Sequence, residues 1–111
     1  MIRKTFENEI QQVKDEVLLL GSMVEHAIIA SVEVLKKRDI KGAEKIIADD
    51  KEINKKRFAI ENQLMILIAT QQPMAHDLRL LASTMEIISE LERMGDYAKG
   101  IANINVRMGD E

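Results

Sequence analysis

A chain of 111 residues, 46% apolar and 32% charged, makes one domain just large enough for a core; its 3% aromatic content, seven methionines and single proline point to helices rather than a sheet. The absence of cysteine excludes disulfides, thiolate metal sites and a cysteine nucleophile, and fits a reducing compartment. A net charge of −3 argues against nucleic acid as a partner, because phosphate contacts need a concentrated basic surface.

The N-terminus carries Arg3 and Lys4 with no apolar region behind them, unlike a signal peptide. The longest apolar run, Leu64 to Ala69, is six residues, far too short to span a membrane. The expectation is a soluble cytoplasmic protein with no membrane insertion.

The first helix is expected over residues 3–38. Phe6, Ile10, Val13, Val17, Leu20, Val24, Ala27, Ser31 and Val34 alternate by four and three, the seam of a bundle helix. Lys36, Lys37 and Arg38 suit the negative end of its dipole. Asp39 is a good N-cap for the next helix, so the connection is short and the two helices are antiparallel neighbours.

The second helix is expected over 40–71, with Ala43, Ile46, Asp50, Ile53, Arg57, Ile60, Leu64 and Leu67 in its seam. An acid at Asp50 is costly there unless it is paired or metal-bound. Arg57 either pairs with a nearby acid or packs its stem and carries its guanidinium out to the edge. The stretch Leu64 to Ala69 is apolar nearly all round, more than one bundle can cover.

Pro73 punctuates next. Gln72 before it is pushed out of the helical region, and the proline suits the first turn of a third helix over 73–107. That helix has Leu78, Leu81, Met85, Ile88, Gly95, Ala98 and Ala102 in its seam, with Leu91 or Glu92 filling the gap. Asp77 is accounted for by the dipole at the start of the helix. Gly95 in mid-helix costs about 1 kcal/mol against alanine, which suggests that another backbone or a bound group comes close. The fold class expected is all-α: an elongated up-down-up three-helix bundle, residues 1–111 forming a single domain roughly 50 Å long at 1.5 Å per residue.

The chemistry-bearing stretch is Glu90-Leu91-Glu92-Arg93-Met94-Gly95-Asp96-Tyr97. Glu92 and Asp96 lie one turn apart on one helix face and repel unless a cation or donor sits between them. Arg93 points outward or bridges to an acid.

Together with Gln71-Gln72-Pro73-Met74-Ala75-His76-Asp77-Leu78-Arg79, Leu20-Gly21-Ser22-Met23-Val24-Glu25 and Asp49-Asp50-Lys51-Glu52-Ile53-Asn54, this stretch resembles the family of PhoU-type phosphate uptake regulators over nearly the whole chain. Family members have two three-helix repeats, and this chain resembles one, either a stand-alone half or a fragment. The resemblance implies a non-enzymatic cytoplasmic regulator that damps phosphate import. Its implied partners are the ATPase subunit of the phosphate ABC transporter and the phosphate-sensing histidine kinase. It also implies an acidic motif binding clusters of metal ions, iron or zinc, with manganese or magnesium as alternatives. That motif maps to Glu92 and Asp96, with Asp50 and Asn54 as its counterpart on the second helix. Asn54 departs from the pattern by replacing an anionic ligand with a neutral one. Carboxylate oxygens on antiparallel neighbours suit hard or borderline cations.

A homodimer is expected, a second copy covering the apolar end of helix two. The alternative is a structural or signalling bundle without metal. A di-iron enzyme would need Glu-x-x-His, and neither His26 nor His76 has a glutamate three residues before it.

Overall fold

The computed structural model describes residues 3–71 and 73–109, which form three helices: α1 (Arg3–Lys36), α2 (Ile40–Gln71) and α3 (Ala75–Met108). They pack up-down-up into a rod of 60 × 17 × 17 Å in which every pair of helices is in contact, the three-helix bundle that the seams predict.

The seam of α2 is buried at seven of its eight positions, Ile46 being half-buried. In α1, Phe6, Ile10, Val13, Leu20, Val24 and Ser31 are buried, while Val17, Ala27 and Val34 are half-buried. In α3 the seam starts one residue earlier than expected. Asp77 is buried and Leu78 exposed; Leu81, Ile88, Gly95, Ala98, Ala102 and Asn105 follow.

Helix ends also differ from expectation. α1 stops at Lys36 because Arg38 takes a left-handed conformation (φ 56°), with the Arg38 N–H donating to Leu35 O and the Asp39 N–H to Val34 O. This is the usual two-bond helix stop, with arginine where glycine is commonest. Asp39 then caps α2 as expected, its Oδ1 accepting the Gly42 N–H at 2.9 Å. α3 begins at Ala75, not Pro73. Met74 is the extended cap residue, and its N–H donates to Asp77 Oδ2 at 3.1 Å. That bond satisfies a donor the helix start leaves free, so Pro73 lies ahead of the helix rather than in its first turn. The expectation for Gln72 lies outside the described residues.

One property of α1 escapes a search for unbroken apolar runs. The helix contains an 18-residue window of mean hydropathy 1.7, long and apolar enough by length and composition to cross a membrane. In the bundle it places Leu20 and Val24 in the core while Leu18, Ile29 and Val32 stay exposed.

Candidate functional site

Spacing on α2 and α3 puts the acidic motif on the flank these two helices share. Arg57 is its centre. Sitting in the α2 seam between Ile53 and Ile60, its side chain is 10% exposed, and its guanidinium forks. Nη1 donates to Glu61 Oε1 at 3.0 Å along the same helix, and Nη2 lies 3.0 Å from Glu92 Oε2 on α3. The guanidinium carbon is 4.1 Å from the centre of the Phe58 ring, a cation–π contact. The pairing, rather than an outward-reaching side chain, is how this buried arginine is accommodated.

Asp50 is buried two turns before Arg57. Its Oδ2 accepts the Asn54 side-chain N–H at 3.0 Å and lies 3.7 Å from Lys99 Nζ of α3. Asn54 therefore serves Asp50 as a donor, the role its amide nitrogen can take and an aspartate could not. Glu92 is half-exposed and Asp96 fully on the surface. Arg93 faces outward, 3.8 Å from Glu90.

The four expected ligands thus fall into separate groups: Glu92 with Arg57, Asp50 with Asn54 and Lys99, and Asp96 in solvent one turn on. Among the described residues no three acids or histidines come together in a way that would hold a metal ion. Two carboxylates at Glu92 and Asp96 fit the chemistry of a weakly held divalent cation. The quartet does not fit a closed multinuclear centre as it stands, because an arginine and a lysine already neutralise two of its acids.

Gly95, beside the motif, does not mark a close backbone approach. A Cβ there would meet Ile53 Cγ2 at 3.7 Å and Val24 Cγ2 at 3.9 Å, ordinary packing distances.

An ion pair between a buried aspartate and an exposed arginine, which local spacing misses, lies at the end of the rod. Arg3 donates to both carboxylate oxygens of Asp77, at 2.6 and 2.8 Å, tying the start of α1 to the start of α3. The Arg3 hydrogen bonds, helped by the Met74 N–H and opposed by burial, hold the Asp77 carboxyl down to about 2, and the same bonds raise the Arg3 pKa. The available signal was the four-residue step from Leu81 back to position 77.

Away from the motif, a cleft of about 620 Å³ opens between α1 and α2, floored by Met23, Ala27, Ala30 and Ile46 and edged by Lys45 and Asp49. None of its lining residues belongs to the Arg57–Glu92 group. His26 borders it and His76 is exposed elsewhere, neither within a cluster that would ligate metal.

Comparison with known proteins gives one consistent answer. The profile of the PhoU domain matches residues 17–104. A phosphate-specific transport system accessory protein PhoU homolog from Clostridium acetobutylicum is 42% identical over 112 residues, covering all of this chain and 51% of the relative. The homolog from Aquifex aeolicus is 35% identical, with 93% of this chain and 47% of the relative aligned. The phosphate-specific transport system accessory protein PhoU of Escherichia coli is 34% identical over 96 residues, 86% of this chain and 40% of its own. The chain spans about half the length of the curated relatives it matches.

Proposed function

This chain belongs to the PhoU domain family, and on that premise we propose that it is a non-enzymatic accessory regulator of phosphate transport in the cytoplasm, working by protein contact. The observation that carries the reading is the family match across residues 17–104. Its relatives are named as accessory proteins of the phosphate-specific transport system, and the partners proposed are that system's ATPase subunit and a phosphate-sensing histidine kinase. A rod with apolar side chains left on its outside suits such contact. Met65, Ile66 and Ile68 at the end of α2 are exposed, as are Phe58, Leu18 and Ile29. Each large apolar side chain buried on association contributes about 1.5–3 kcal/mol before the costs of docking. A second copy of the chain covering Met65, Ile66 and Ile68 is part of the proposal. Light scattering at about 100 µM would then report a dimer, since that concentration populates even a complex of Kd about 10 µM.

Metal is the finer part of the reading. Glu92 and Asp96 are proposed to take one divalent ion weakly, iron, zinc, manganese or magnesium, with Asp50 and Asn54 as outer neighbours. The support is a pair of oxygen donors at i, i+4 with Asp96 open to solvent. The function as a whole is tested by phosphate uptake in cells lacking their own PhoU-domain regulator. Expression of this chain lowers uptake under phosphate-replete conditions. Uptake unchanged by a chain shown to be folded and abundant in those cells contradicts the reading.

A further inference from the structure

We infer that Arg57 is a built-in counter-cation for the acidic motif, occupying at Glu92 the place a metal ion would take and thereby setting how tightly the Glu92 and Asp96 pair binds one; this rests on the metal part of the reading above. The seam of α2 calls for an apolar side chain at position 57, as it does at Ile53 and Ile60 on either side. An arginine there is costly to bury, and it is incompletely satisfied: its Nε is shut off from water with no acceptor among the described residues. An apolar residue of similar size would carry no such penalty. What the arginine alone supplies is a fixed positive charge, and both of its terminal nitrogens deliver that charge to carboxylates, Glu61 and Glu92, at 3.0 Å.

The arrangement works against a second cation in two ways. Glu92 Oε2 is already engaged, so an incoming ion must break a charge-assisted bond whose arginine side is buried. The guanidinium also stays where it is, pinned by Glu61 and by the Phe58 ring, and repels the ion. Lys99 repeats the device two turns along at Asp50, with a longer pair in which the cation rather than the acid is the exposed partner.

The test compares Mn²⁺ and Zn²⁺ binding by calorimetry on chelator-stripped full chain at pH 7. Arg57→Met removes the charge and keeps the stem; Arg57→Gln removes the charge and keeps a hydrogen-bond donor, as a second variant should the first fold poorly by circular dichroism. The expected result is binding at least tenfold tighter in whichever variants fold, with a larger metal-induced rise in Tm than wild type. Adding Glu92→Gln abolishes the gain. Wild type binding metal as tightly as the folded variants overturns the inference and leaves the metal site standing. No binding by wild type or variants overturns both.

Discussion

At the end of the rod where α2 passes to α3, the core is Phe6, Ile10, Val13, Ile60, Leu64, Leu67 and Leu81, large side chains from all three helices. At the other end, where α1 turns into α2, the buried positions are Ser31, Ala43, Ala98, Ala102 and Asn105. The first end coheres through apolar area. The second brings helices together over small side chains and adds specific hydrogen bonds: Asn105 Nδ2 donates to Val34 O at 3.1 Å and Asp39 O at 3.5 Å, and Arg38 donates to Gly109 O at 2.6 Å. Asp50, Arg57, Glu92 and Asp96 lie where one regime gives way to the other. There Leu20, Val24, Ile53 and Ile88 still fill the core, and on the flank beside them charged groups pair across α2 and α3.

Breaking the apolar end has the largest expected effect. Leu64→Ala removes a completely buried side chain and is expected to cost about 2–5 kcal/mol in urea unfolding. Asn105→Ala, at the other end, removes one of the donors that Val34 O and Asp39 O accept, each keeping a backbone N–H, and costs about 0.5–1.5 kcal/mol. Its signature is local: amide exchange quickens around Val34 to Asp39 while the Leu64 region keeps its relative protection. Equal losses of protection at both ends would erase the distinction between them.

Acid separates the ends in another way. Asp77 is held at about 2 in the fold against 3.8 for the free side chain, so its pairing with Arg3 stabilises the protein fully above about pH 4. That contribution is lost as pH falls from about 4 through 2. Asp77→Asn should lower Tm at pH 7 and flatten its dependence between pH 4 and pH 2; an unchanged acid profile would show that this pair does not set it. The smallest effect is a gain. Gly95→Ala, with room for the added methyl, should raise stability by up to about 1 kcal/mol through helix propensity.

The helices and most of their buried faces are legible in the sequence because a bundle repeats one rule, apolar residues at steps of three and four, and α2 keeps those steps from Ala43 to Leu67 with Asp50 and Arg57 as its charged exceptions. Reading that rule by apolar letters is also what hid Asp77 and Asn105. Both fall on the seam steps, at 77 before 81 and at 105 after 102, but their burial depends on partners 74 and 71 residues away. The acidic motif was legible as a set of residues on adjoining helices, while its state was not. Spacing brings Glu92 beside α2 and cannot say that Arg57 reaches it at 3.0 Å. Gly95 misled for a related reason, since a glycine in a pattern does not reveal whether its neighbours are backbone or the yielding tips of Ile53 and Val24.

The central claim, that this bundle regulates phosphate transport by direct contact, is most directly tested by calorimetric titration of the purified chain into the purified ATPase subunit of a phosphate-specific transporter from the same cell. The account predicts saturable binding with Kd about 10 µM or tighter. No heat of binding at about 100 µM, with a two-repeat relative binding its own subunit as a control, would contradict it.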